Sequence, residues 1–386
     1  MNSNEQIKRY GVKIRKGDIN PITRVTYLYD AVGMTPAHMD FSRGVFDFGG
    51  WADIWFVKNN YPCMLKYDGT EDYKLNPNNY ALKADGTPSD IANMDYAGNA
   101  MSAIPLVWIK QYEDAEHEYI ILCEKQYDED FHAYAHTRAD GTIMNVKYLS
   151  MFKGSYDGTR LRSMSGDSLV HGRAQTEIDR AAANNQNGAD IWRTRSWADR
   201  NLVNCLLTVI SRSDDSQTVF GAGNTTSGEL LKTGTLNDKG QFFGYEETDK
   251  QVKVFHIEGW WGDQWERIVG ILGDYGKVKV KMIPPYNLTG EGYTDTGISW
   301  SGWNSGFIKN TMMSHLGRIP NELEQNAKHI PDWCWFDNDN INIALVGGYC
   351  CDGANCGAAY LSLYNAASYS FWAFGAALSC EQPSAA

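Results

Sequence analysis

The chain has 386 residues, 43% of them hydrophobic and 21% charged, enough for a sizeable core in one large or two smaller domains. A formal charge of -12 without any Lys/Arg cluster argues against a nucleic-acid backbone or an anionic membrane as partner. No apolar run follows the basic residues near the N-terminus, and nowhere do about eighteen apolar residues follow one another. Neither a secretory signal peptide nor membrane insertion is therefore expected, and synthesis in the cytoplasm is.

Residues 1–95 are turn-rich, with Asp-Gly at 68 and 85, Gly-Gly at 49 and Asn-Pro at 20 and 76 between short apolar runs such as 25–29 and 54–57. That spacing predicts a small β-rich N-terminal region used for attachment or oligomerisation. From Ile104 the runs IPLVWIKQY and EYIILCEKQY, separated by the acidic turn 113–118, predict a β-hairpin. A further strand pair is expected around FHAYAHTR and TIMNVKYLSMF, joined at Asp140-Gly141.

Two helices follow. Residues 171–184 are Ala-rich and stop at Asn185-Gln186-Asn187-Gly188, and Ser196-Trp197-Ala198-Asp199 opens a second helix like a capping motif. Leu202, Val203, Leu206, Leu207 and Ile210 keep a helical period and predict a core stripe. The chain then becomes loop-heavy until VFHIEGWWGDQWERIVGIL at 254–272, where Gly259, Trp260, Trp261, Gly262 and Trp265 predict a buried element pinned by indoles. No repeat or long linker interrupts residues 96–386, which read as one domain.

Residues 344–380 have a different texture, with small residues alternating with Tyr, Phe, Ser and Cys, almost no charge and few β-branched side chains. An ordinary half-buried strand pair would alternate Val, Ile or Leu with charge. Tyr, Ser and Gly together are what paratopes use, because Tyr offers wide amphipathic contact with few rotatable bonds. A C-terminal strand pair whose aromatics fill a core is the alternative from composition alone.

The segment IEGWWGDQWERIVGIL resembles the Trp-Gly signature of the formylglycine-generating-enzyme-like branch of the C-type lectin fold, and the run of glycines, Trp372 and GAALS resembles that fold's last strands. KGSYDGTRLRSMSG and the two helices are similar to its middle. Residues 104–380 together resemble the variable proteins diversified by diversity-generating retroelements, especially those of gut-phage tails, and RVTYLYDAVGMT is loosely similar to the tail proteins that carry them.

The resemblance implies an α+β fold, a C-type-lectin-like domain of the formylglycine-generating-enzyme type over residues 96–386 behind the N-terminal β-rich region. It also implies a variable segment at about 344–380, in which random substitution at template adenines turns Asn-type codons into Tyr, Cys, Ser, Asp, Phe, Ala or Gly. Variable, ligand-binding positions are then Tyr349, Cys350, Cys351, Asp352, Ala359, Ser362, Tyr364, Tyr369, Phe371, Ala373 and Phe374. Gly347, Gly348, Gly353, Gly357, Gly375, Trp261 and Trp265 would be the fixed scaffold, with Trp372 and Leu378 as inward anchors. The function implied is receptor binding by a phage tail or prophage adhesin. Its partners would be a bacterial surface protein or glycan and other tail proteins, its place the virion or bacterial surface, and a homotrimer would add avidity.

Catalytic readings find little support in the residues, and the expectation is a non-enzyme without cofactor or metal. His256 is separated from Glu258 by one residue, with no second His three or four positions on, so it reads as structural. Cys350-Cys351 have no Lys, Arg or His beside them to lower a thiol pKa. Asp337-Asn338-Asp339-Asn340 lack the Gly and distal Glu of a calcium loop and read as a solvated turn. The eight cysteines form no zinc-type pair set, although Cys356 and Cys380 could pair under oxidising conditions. A metal-dependent oxidoreductase of the same fold branch and a non-variable structural tail protein are the rival readings.

Overall fold

The computed structural model describes residues 7–383. The chain is mostly β-sheet, with 38% strand and 11% helix, compatible with an α+β class. Three sheets dominate. The first has the order Val25–Tyr29, Arg9–Arg15, His117–Cys123, Trp108–Glu113. The second runs Trp192–Thr194, Leu378–Glu381, Val146–Ser150, Gly98–Pro105, Tyr61–Lys66, Glu71–Asn76, Asn79–Lys83.

The third and largest carries the region of interest. Its order is Thr294–Ser299, Lys277–Val280, Trp265–Asp274, Ile341–Val346, Leu361–Leu363, Ile330–Phe336, Asn304–Ser314, Gly317–Glu324, with the short strand Phe374–Gly375 added in parallel to Trp265–Asp274.

The helix Trp197–Ser211 lies at the centre of the main core, and its predicted start is built as the residues suggest. Ser196 Oγ accepts from the Asp199 amide at 3.2 Å while Asp199 Oδ2 accepts from the Ser196 amide at 2.9 Å, a reciprocal cap that satisfies two otherwise orphaned donors. Leu202, Val203, Leu206, Leu207 and Ile210 are all buried. The helix expected over 171–184 forms as Ala174–Ala182. The hairpin expected from Ile104 forms as Trp108–Glu113 and His117–Cys123, with Glu113 opposite Glu118.

Two expectations are corrected. The strand pair around residues 131–138 and 142–152 is reduced to an isolated bridge between Thr137 and Ile143. Val146–Ser150 pairs instead with Gly98–Pro105 on one side and Leu378–Glu381 on the other, because distant strands complete its backbone hydrogen bonds.

The division at residue 95 has no counterpart in the sheets. Tyr61–Lys66 pairs along its length with Gly98–Pro105, and Arg9–Arg15 with His117–Cys123. Tyr10, Val12, Trp51 and Phe56 share one apolar cluster with Ile104, Leu206 and Trp260. Strands from both sides of the expected boundary thus bury the same core, so the first 95 residues are part of the body.

Candidate ligand-binding surface

Residues 344–380 leave the largest sheet after Ile341–Val346, return to it at Leu361–Leu363, and end in the second sheet at Leu378–Glu381. Between those strands the path is irregular and tethered at many points. Gly262 donates to Gly347 O at 3.0 Å, Cys350 to Asp263 O at 2.9 Å, and Trp265 to Ala373 O at 2.9 Å. Arg267, paired with buried Glu177 at 2.7 Å, donates a second arm to Tyr369 O at 3.1 Å and so holds the last loop.

The Gly frame has a steric cause. Gly347 and Gly348 both have positive φ, and a Cβ on Gly348 would run into the Cys356 side chain. Gly357 sits against the Asp332 carboxylate and Gly375 against the Gln264 amide, with no room for a side chain at either. Trp261 is wholly buried and donates to Gly221 O at 3.1 Å.

Above this frame the aromatic side chains converge. Trp265 and Tyr349 stack with ring centroids 4.1 Å apart at 22°, and Phe374 meets the Trp265 ring edge-on at 5.2 Å. Phe371 lies 5.5 Å from Phe374 and 6.3 Å from Tyr349, while Tyr369 lies 5.7 Å from Phe374. Opposite them stand Tyr364 and Trp335, whose rings are 6.3 Å apart. Together with Leu345, Ser362 and Asn365 these residues enclose a hollow of about 230 Å³, and none of its ten lining residues is charged.

Of the eleven expected ligand-binding residues, six line this hollow: Tyr349, Ser362, Tyr364, Tyr369, Phe371 and Phe374. Tyr364 and Tyr369 are exposed, and Tyr349 and Phe371 are half-buried. Cys351 is exposed, and Asp352 and Ala359 are half-buried, but none of the three borders the hollow.

Cys350 and Ala373 point inward and are fully buried, and Phe374 and Ser362 are buried beneath the hollow as its floor. Around Cys350 and Ala373 the irregular backbone gives no fixed alternation of faces, so residue type alone misplaces these two. Trp372, expected as an inward anchor, is 41% exposed and packs 6.1 Å from Tyr349. Tyr360 and Leu378 are inside. Trp265, expected as scaffold, is half-buried and serves as the hollow's base.

Asp352 organises the turn below Tyr349. Its carboxylate accepts from the Tyr349 amide at 3.3 Å, and burial pushes its pKa up to about 7. Cys350, Cys351, Cys356 and Cys380 are all free thiols, which overturns the pairing of Cys356 with Cys380. Cys356 lies beside Gly348, whereas Cys380 belongs to the small apolar cluster of the second sheet with Trp192 and Tyr148, so the two sit in different layers.

His256 is buried with Nδ1 2.7 Å from the Tyr80 hydroxyl. Among the described residues no group of three or more His, Cys, Asp or Glu side chains is placed to hold a metal ion, and no helix is long and apolar enough to cross a membrane.

Trp333 and Trp335 were missed as surface residues, although the signal was present. In IPDWCWF the alternation puts Ile330, Asp332, Cys334 and Phe336 inside and leaves both indoles on the outer face. Comparison of the chain with protein-family models finds no match, and comparison with curated proteins finds none either.

Proposed function

We propose that this chain is a receptor-binding protein with a C-type-lectin-like domain of the formylglycine-generating-enzyme type, diversified by a retroelement over residues 344–380 and borne on a phage tail or prophage particle. It recognises a molecule of the bacterial surface and carries out no catalysis. One observation supports this reading above the others: Tyr349, Tyr364, Tyr369 and Phe371 converge on a single uncharged hollow while Gly347, Gly348, Gly357 and Gly375 of the same segment face packed protein.

A surface open to substitution needs that separation of duties, since side chains that bear no packing load can change without unfolding the chain. Large aromatic rings at such places supply most of an interface's contact energy. The stacked Trp265 beneath Tyr349 gives the hollow a rigid base, which lowers the ordering cost of binding.

The test is direct. Fluorescently labelled protein is incubated with a panel of bacterial isolates, and a variant carrying Tyr349→Ala, Tyr364→Ala, Tyr369→Ala and Phe371→Ala is compared. Saturable binding by the wild type to a subset of isolates, lost in the variant, is the expected result. Absence of binding to every isolate, or undiminished binding by the variant, defeats the reading.

A further inference from the structure

A row of rings leaves the hollow and runs over strands that lie outside residues 344–380. Tyr364 follows the strand Leu361–Leu363, Trp335 belongs to Ile330–Phe336, and Trp303 precedes Asn304–Ser314, three strands that are neighbours in the sheet. Ring centroids are 6.3 Å apart from Tyr364 to Trp335 and 5.8 Å apart from Trp335 to Trp303, with successive tilts of 48° and 49°. Trp303 is 60% exposed, the most exposed indole in the molecule's described residues. One ring per strand thus makes a stepped aromatic track whose outer members lie ahead of residues 344–380.

Two properties of the track specify its occupant. The hollow from which it starts has no charged side chain, in a chain of formal charge -12, so an ionic ligand meets no counter-charge there and a neutral one is matched. The side chains of Ser362, Tyr364, Asn365 and Tyr369 make no hydrogen bond to any described residue, so polar groups stand unengaged among the rings. A purely apolar protein side chain would fill the hollow and leave those groups without partners, at a cost.

A pyranose ring presents an apolar C–H face to an aromatic surface and hydroxyls around its rim, which uses both features at once. Resting on the receptor-binding reading above, we infer that the ligand is a neutral glycan chain. One sugar occupies the hollow against Tyr364 and Trp335, and the chain continues over Trp335 and Trp303.

Isolates that bind the wild-type protein are treated with periodate, which cleaves sugar diols, or with proteinase K, and binding is remeasured beside Trp303→Ala and Trp335→Ala. The inference expects binding lost after periodate, kept after proteinase K, and weakened about tenfold in Trp303→Ala, whose exposed side chain can be removed with an unchanged melting temperature. Binding lost after proteinase K and kept after periodate makes the partner a protein; it overturns the glycan inference and leaves the receptor reading standing. Trp303→Ala and Trp335→Ala both binding with wild-type affinity also overturns it. In parallel, affinity electrophoresis in gels containing mannan, β-1,3-glucan or dextran, with polygalacturonate as the anionic comparison, needs no cell. Retardation by a neutral polymer that Trp303→Ala abolishes supports the inference, and retardation by polygalacturonate alone refutes it.

Discussion

Two groups of tryptophans in this molecule do opposite work. Trp260 and Trp261 are buried, and their ring N–H groups donate to Asn204 Oδ1 at 2.9 Å and Gly221 O at 3.1 Å; Arg200 lies 4.3 Å over the Trp260 ring. Trp303 and Trp372 are exposed, and neither indole N–H has a partner among the described residues. A buried indole must find an acceptor or lose free energy, whereas an exposed one keeps its donor for water or a ligand. The first pair carries stability, and the second group is free to meet something outside.

That contrast breaks if substitutions do not sort by it. Trp261→Ala, which empties a fully buried site and leaves Gly221 O unpaired, is expected to cost about 3–5 kcal/mol in denaturant unfolding. A smaller loss than Tyr369→Ala would reverse the assignment.

Next comes Gly357→Ala, which puts a methyl against the Asp332 carboxylate and is expected to cost about 1–3 kcal/mol, read as a lower melting temperature. If it is neutral, the glycines are not the steric frame described here.

Asp352→Asn sharpens the comparison through pH. Burial raises the folded-state pKa of Asp352 from 3.8 to about 7, so its contribution to stability is fully present below the unfolded value and lost as pH rises through about 7. The Asn variant keeps an acceptor for the Tyr349 amide without that titration. Its stability relative to wild type should therefore grow between pH 4 and pH 7, by about 3 kcal/mol, in melts recorded across that window. A difference that does not vary with pH would place the carboxylate in a water-like setting.

The smallest effects belong to the outer rings. Tyr369→Ala and Trp372→Ala are expected to change unfolding free energy by no more than about 0.5 kcal/mol, checked by the same titrations. A loss above about 2 kcal/mol in either would make it a packing residue.

The sequence was most legible where a local pattern carries its own physics. The Ser196 to Asp199 cap and the period of Leu202, Leu206 and Ile210 need only neighbours along one helix, and both appear as expected. The hairpin at Glu113 is equally local. What could not be read was pairing at long range: Val146–Ser150 takes partners from residues 98–105 and 378–381, and nothing in its own residues names them.

Within the candidate site, residue type identified aromatic content but not direction. Cys350 and Ala373 turned inward and Trp372 outward because the connecting backbone is neither helix nor strand there. Trp335 could have been found from the alternation of its own strand, had the outer face of residues 330–336 been weighed as a surface in its own right.

The segment 344–380 ends in the strand Leu378–Glu381, which lies between Trp192–Thr194 and Val146–Ser150 with hydrogen-bonded neighbours on both sides. A polypeptide that stops short or changes reading frame anywhere inside the segment therefore arrives without an interior strand of its second sheet, and Trp192 and Tyr148 lose the apolar cover of Leu378 and Cys380. On the diversification proposed above, folding would act as a proofreader of the rewritten end: only copies that run through intact would complete that sheet.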